Sequence, residues 1–206
     1  MNKRNYQKEL DKIIEGLRDR PKLLIHSCCA PCSSYCLEYL CKYYEITDYY
    51  YNPNITGKDE YSMRVSEQKR LIEAMNTDYN TDISFAEGPY DPDAFYKSVK
   101  GLEDEPEGGK RCRVCFALRL DKTAAYAKEH GFDIFTTTLT ISPLKNADVL
   151  NEVGEAAARK YGISFLPSDF KKRNGYKRSI ELSKEYDLYR QSFCGCEFSK
   201  ETKENE

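Results

Sequence analysis

The stretch LLIHSCCAPCSS, Leu23 to Ser34, decides the fold: an apolar run passes straight into a cysteine-bearing turn and then into a helix. Leu23 to Ser27, just after Pro21, reads as a buried strand. Beyond the turn, Cys36, Leu37, Leu40, Cys41 and Tyr44 recur at helical spacing. A strand feeding directly into a helix is the first half of a βαβ unit.

The same alternation extends in both directions. Upstream, Leu10, Ile13, Ile14 and Leu17 mark one face of a helix from Tyr6 to Arg18. Downstream, a strand from Asp48 to Tyr51 ends at the turn Asn52-Pro53-Asn54, and a helix from Glu60 to Met75 leads to a strand at Ile83 to Phe85. Asp91 and Pro92 are the cap and first position of a helix reaching Leu102. The loop EDEPEGGKR opens into a helix from Cys112 to Gly131. A strand from Asp133 to Leu139, the loop TISPLKN, and a helix from Asp148 to Tyr161 closed by Gly162 follow. Ser164 to Leu166 is the last strand and Tyr176 to Tyr189 the last helix. The expectation is one Rossmann-like α/β domain over residues 1–206, with about five parallel strands flanked by helices. Residues 1–21 hold the N-terminal helix, and residues 200–206 are expected to be a disordered tail. Ligands of such sheets bind beyond the carboxyl ends of the strands, where Cys28 and Cys29 stand.

Composition narrows the class. A chain of 206 residues, 40% hydrophobic and 32% charged, buries about 70% of its unfolded surface without disulfides. Mean hydropathy of −0.75 and the lack of a long apolar run argue against a membrane span. The N-terminus MNKRNYQKELDKIIEGLRDRPK has no apolar core of a signal peptide, so a cytoplasmic location is expected. Net charge of −2 does not advertise nucleic-acid binding, although FKKRNGYKRS, Phe170 to Ser179, holds five of the 32 basic residues and no acid.

Seven of the nine cysteines fall into three tight groups, Cys28-Cys29-Ala30-Pro31-Cys32, Cys112-Arg113-Val114-Cys115 and Cys194-Gly195-Cys196. In a cytosolic chain such clusters point to metal binding or redox chemistry, and an odd total rules out full pairing within one chain. The first two groups open helices, where backbone N–H groups favour thiolates, and Lys110, Arg111 and Arg113 beside the second are expected to add to that effect. Cys36 and Cys41 sit on an apolar helix face and read as small hydrophobes. Thiolates in number suit zinc or iron–sulfur clusters, and spacing does not separate the two. A C-x-C pair closes only a tight ring, suited to a labile redox disulfide or to two further metal ligands.

Beyond these local signals, LLIHSCCAPCSSYCLEYL, YYYNPNI with EYSMRVSEQKR, EGGKRCRVCFALRL, TTTLTISPLKN and DFKKRNGYKRSIELSKEYDLYRQSFCGCEFS together resemble the QueH-type epoxyqueuosine reductases, from about Lys22 to Ser199. The resemblance implies cobalamin-independent reduction of epoxyqueuosine to queuosine in tRNA, the last step of queuosine biosynthesis. It implies a 4Fe–4S cluster on Cys28, Cys29, Cys112 and Cys115, and a redox-active pair, Cys194 and Cys196, restored by an external electron donor. It also implies a second mononuclear metal, iron or zinc, with Cys32 as its ligand here, although some relatives carry Asp at that place. The fold also resembles the PP-loop/HUP group, but CCAPCSS lacks the glycines of a phosphate loop, so no ATP binding is expected.

Two further sets of residues are candidates. His26, one strand position from the cysteines, is either a proton donor or a hydrogen-bonded core residue. Lys171, Lys172, Arg173, Lys177 and Arg178 can neutralise RNA phosphates and Tyr176 can stack on a base; the alternative is a solvated helix start. Two other functions compete: a cofactor-free thiol–disulfide oxidoreductase, and a non-catalytic zinc module that binds RNA or a partner.

Overall fold

A computed structural model of the chain describes residues 4–199; the expected tail at 200–206 lies outside the described residues. The strands are β1 (Lys22–Ser27), β2 (Glu45–Tyr50), β3 (Ser84–Glu87), β4 (Ile134–Thr137) and β5 (Ser164–Phe165). They form one all-parallel sheet in the order β3-β2-β1-β4-β5. The helices are α1 (Tyr6–Glu15), α2 (Ala30–Leu40), α3 (Lys58–Tyr79), α4 (Pro92–Val99), α5 (Lys110–Glu129), α6 (Ala147–Tyr161) and α7 (Gly175–Glu185). Among the described residues, no helix is long and apolar enough to cross a membrane.

β1 is buried along its length after Lys22 because it is the central strand, covered on both faces. Alternate residues serve opposite faces. Leu23 and Ile25 pack with Leu37, Leu40, Leu71 and Met75 beneath α1, α2 and α3. Leu24 packs with Phe135, Ala124, Ala127 and Ala157 beneath α5 and α6. Truncating a fully buried side chain such as Leu37 to Ala removes about 2–5 kcal/mol. Gly154 of α6 is required by close approach: a Cβ there would stand 2.3 Å from the Phe165 ring.

Several ends differ from the sequence-based expectation. β4 stops at Thr137, whose Oγ1 accepts the Leu139 N–H at 3.1 Å and starts a 3₁₀ turn over Thr138–Ile141. α1 stops at Glu15 rather than Arg18, because Gly16 caps it. α3 extends at both ends to Lys58–Tyr79 and closes on left-handed Asn80, φ 50°. α7 stops at Glu185, since Asp187 is left-handed at φ 48° and Arg70 takes the carbonyls of Tyr186 and Asp187. The expected cap and first position of α4 hold: Asp91 Oδ1 accepts the Ala94 N–H at 3.1 Å and Pro92 opens the helix.

The strand order places the site. From β1 the chain winds outward to β2 and β3, then crosses back to β4 on the other side. The crevice between the carboxyl ends of β1 and β4 is the switch point at which doubly wound sheets bind ligands. Cys28 and Cys29 follow β1 there, and the segment Ser142–Asn146 follows β4.

Candidate functional site

Cys29 has an extended backbone, φ −172°, at the N-cap of α2, and Cys32 lies one turn into that helix. This geometry gathers the sulfurs of Cys28, Cys29 and Cys32 within 4.8 Å of one another, with Cys28 and Cys29 at 3.7 Å. The turn is held from outside: Asn52 Nδ2 donates to the Ser27 carbonyl at 2.8 Å and the Tyr50 hydroxyl to the Cys28 carbonyl at 3.3 Å. Hydrogen bonds from Cys29 and Cys32 lower the Cys28 thiol well below its ordinary range, so Cys28 is the first to ionise. A donor set of thiols alone is soft and fits zinc or an iron–sulfur cluster rather than magnesium or calcium.

A cavity of about 280 Å³ opens over this turn, lined by Cys28, Cys32, Arg64, Lys145, Tyr176 and Cys194. An inner cavity of about 90 Å³ adjoins it, lined by Cys112, Cys115, Cys194 and Cys196 with Arg119 and Lys145. The three cysteine groups of the sequence therefore line two neighbouring cavities that share Cys194, Arg119 and Lys145 in their walls. Cys194 faces both cavities, whereas Cys196 faces only the inner one and packs with Phe95, Val99 and Cys115. The two thiols of the C-x-C are free. A hydrogen bond from Cys196 lowers the Cys194 thiol, with the Lys145 ammonium acting in the same direction, and Cys196 is raised in turn.

Gly195 makes this turn possible. Its φ is +98°, and a Cβ would meet Ile55 Cγ1 at 2.6 Å. Asn54 Nδ2 donates to the Cys194 carbonyl at 3.2 Å, and Ser199 Oγ lies 3.2 Å from Cys194 Sγ.

One electrostatic expectation is corrected. Of the three cations beside the second group, Arg111 does lower the Cys112 thiol, but burial outweighs it and leaves that thiol raised. Lys110 pairs with Glu105, Arg113 with Glu152, and Arg111 turns to the carbonyls of Leu102, Glu103 and Glu105. Burial raises Cys112, and raises Cys115 to about 11. The cation that does reach Cys115 is Arg119, one turn later on α5.

Arg119 is itself buried, its Nη2 donating to Asn52 Oδ1 at 2.6 Å and its Nε to His26 Nε2 at 3.3 Å. His26 also meets Thr137 Oγ1 at 3.0 Å, and burial followed by the Arg119 charge pushes it down to about 3. It lines neither cavity and is a neutral, hydrogen-bonded core residue. Behind the cysteine turn, Ser27 and Gln68 donate to Asp48 at 2.6 and 3.0 Å, and Ser33 donates to Gln68 at 2.9 Å. Burial pushes Asp48 up to about 7.

The basic run divides. Tyr176, 36% exposed, lines the larger cavity. Lys171 pairs with Asp169, Arg173 with Asp11, Lys177 with Glu181, and Arg178 with Glu38 and Glu185. Lys172 forms no ion pair among the described residues and, with Lys171 and Arg4, lines a hollow of about 610 Å³. That hollow adjoins the cysteine cavity through Leu144 and Lys145. Cys36 and Cys41 are core residues, as their helical spacing implied.

Arg64, Arg119, Lys145 and Asn54 are site residues that motif reading did not single out. Only Arg119 left a local signal, its position four residues after Cys115 on the same helix face.

A family model described as epoxyqueuosine reductase QueH matches residues 23–202. The epoxyqueuosine reductase QueH of Streptococcus pyogenes serotype M1 is 49% identical over 191 residues, covering 93% of this chain and 75% of that protein. The same-named protein of Staphylococcus epidermidis is 46% identical over 200 residues, covering 95% of this chain and 84% of its own. Among solved structures, the U34-tRNA thiolase NcsA from Methanococcus maripaludis, with its 4Fe–4S cluster, superposes with a TM-score of 0.51 at 13% identity. That alignment covers 97% of this chain and 71% of the thiolase, and the likeness is one of fold.

Proposed function

The chain belongs to the epoxyqueuosine reductase QueH family and is an oxidoreductase; we propose that it reduces epoxyqueuosine in tRNA to queuosine in the cytoplasm. The observation that carries this reading is the convergence of three remote cysteine groups on two neighbouring cavities that share Cys194 at the sheet's switch point.

In this reading Cys28, Cys29, Cys112 and Cys115 hold a 4Fe–4S cluster, and Cys32 is a ligand for a second metal, iron or zinc. When bound, such a centre supplies one-electron chemistry and a Lewis acid beside the epoxide. The residues of the chain do the rest. Overall, the dithiol of Cys194 and Cys196 gives up two electrons and two protons, the epoxide oxygen leaves as water, an alkene remains, and a disulfide forms. An external electron donor restores the dithiol. Lys145 and Arg64 place positive charge on the cavity wall, where it stabilises the departing oxygen. His26 takes no part as proton donor, because it is sealed and neutral. The RNA enters over Tyr176, which stacks on a base, and Lys172 supplies a phosphate contact; Lys171 lines the same hollow as Lys172, while Arg173, Lys177 and Arg178 are held by acids of the chain.

The test combines iron, sulfide and zinc analysis with an anaerobic assay on tRNA carrying epoxyqueuosine. A broad absorbance near roughly 400 nm with matched iron and sulfide, and conversion to queuosine, is the expected result. A colourless, zinc-loaded protein without conversion supports the zinc module instead. A metal-free protein that exchanges with small disulfides supports the simple thiol oxidoreductase.

A further inference from the structure

The two cavities differ in their cysteines but share one acid. Glu107, on the loop before α5, lines both of them, and among the described residues no other Asp or Glu lines either. Its carboxylate is exposed and forms no hydrogen bond or ion pair among the described residues. The neighbouring acid, Glu105, is already engaged with the Lys110 N–H at 3.0 Å and the Lys110 ammonium at 3.7 Å.

Around Glu107 the walls are cationic: Arg64, Arg119 and Lys145, with Arg190 at the larger cavity. Arg64 is paired with Glu60 outside the cavity, Arg119 donates to the neutral His26 and Asn52, and neither Arg119 nor Lys145 has a carboxylate ion pair among the described residues. Such a wall suits the developing negative charge on an epoxide oxygen, but it repels a cation. Epoxyqueuosine is a cation at its linker: a secondary amine, protonated near neutrality, joins the base to the carbocycle that bears the epoxide. With the epoxide turned to the cysteines and the base toward Tyr176, the ammonium lies between them in the larger cavity, which Glu107 also lines.

We propose that Glu107 is the specificity-determining residue that binds the secondary ammonium of the substrate. The inference rests on the epoxyqueuosine reading and goes beyond it by separating recognition of the modified nucleoside from affinity for RNA. Glu107 forms a charge-assisted hydrogen bond to the ammonium and anchors the linker while the epoxide reacts. Because it is itself negative, it contributes nothing favourable to phosphate binding.

The opposite signs of these two effects give the test. Affinity of the metal-loaded protein is measured at fixed salt for tRNA carrying epoxyqueuosine and for the same tRNA carrying guanine at that position. Glu107→Gln is expected to weaken binding of the first about tenfold. It is expected to leave the second unchanged or slightly tighter, as loss of a negative charge near a polyanion does. In turnover the same variant raises KM with kcat held, and Glu107→Asp recovers part of the loss. Equal weakening of both tRNAs, or no change in either, overturns the assignment. The affinity comparison is read without turnover, so a wild-type protein that binds the modified tRNA selectively yet does not reduce it refutes the activity and not the role of Glu107.

Discussion

Arg64 of α3 reaches the C-terminal turn and donates through Nη1 to the carbonyl of Cys194 at 3.4 Å and through Nη2 to that of Phe193 at 3.2 Å. The same guanidinium is paired with Glu60 at 2.6 Å, and the residue is only 2% exposed. A buried cation with this many partners is fixed, and it fixes the C-x-C turn in its place over the cavity.

Arg64→Met is therefore expected to free that turn. Losing hydrogen bonds from a charged donor costs about 1.5–3 kcal/mol. The loss falls on the local docking of residues 190–199 more than on the sheet. Hydrogen exchange of the C-terminal segment rises and conversion falls, while iron content stays near wild type. Unchanged exchange in that segment would show that the turn is held by other contacts.

The cysteines divide by position. Cys28→Ser, Cys29→Ser and Cys32→Ser each remove a sulfur from the group within 4.8 Å and are expected to lower bound metal and abolish conversion. Cys36→Ala and Cys41→Ala are expected to keep both, because these side chains pack in the core under α2. Their cost appears in denaturant midpoints, at roughly 1 kcal/mol for loss of one small buried group. Metal analysis of the five variants checks the division, and iron loss in Cys36→Ala equal to that in Cys28→Ser would contradict it.

The strand–turn–helix at Leu23–Ser34 was legible because an apolar run and a helical repeat meet there without a linker. Cys36 and Cys41 were legible as core for the same reason, since helical spacing assigns a face. The strand order β3-β2-β1-β4-β5 was not, because parallel pairing joins residues as remote as Leu23 and Ile134 through contacts that leave no local period. The electrostatics were misread for a related reason. Lys110, Arg111 and Arg113 are neighbours of the cysteines in sequence, yet each side chain is drawn to Glu105, loop carbonyls or Glu152. Arg111 does line the inner cavity and Arg119 follows Cys115 by four residues, but two other cations of the walls, Arg64 and Lys145, arrive from α3 and from the turn before α6. No spacing rule relates them to the cysteines.

The basic run at Phe170–Ser179 gives a prediction that separates RNA binding from stability. Arg178 joins α7 to Glu38 of α2 at 2.7 Å, so Arg178→Gln is expected to lower stability by about 1 kcal/mol. Lys172, without an ion pair among the described residues, borders the hollow beside the cavity, so Lys172→Gln is expected to weaken tRNA binding and flatten its salt dependence by about one unit of slope. Titrations of both variants across salt concentrations, with parallel denaturant curves, test the assignment. Equal losses of affinity in the two would return the whole run to a single diffuse patch.

Asp48 gives the fold a pH dependence whose sign follows from its burial. Desolvation raises its carboxyl from 3.8 to about 7, against the opposing hydrogen bonds from Ser27 and Gln68. The folded chain thus holds a proton between those two values that the unfolded chain has released. The stability this group confers is fully present below pH 4 and is lost as pH rises through 7. Between pH 5 and 8 the loss is about 2–3 kcal/mol. Asp48→Asn stays neutral throughout, and Gln68 can turn its amide to meet it, so the stability of wild type relative to this variant should fall by that amount over the interval. Urea unfolding of both proteins at matched metal content measures the difference and cancels the titration of the thiols. A difference that is flat from pH 5 to 8 would mean that Asp48 is already ionised beneath the cysteine turn at pH 5. The negative charge behind Ser27 would then be a permanent feature of the site.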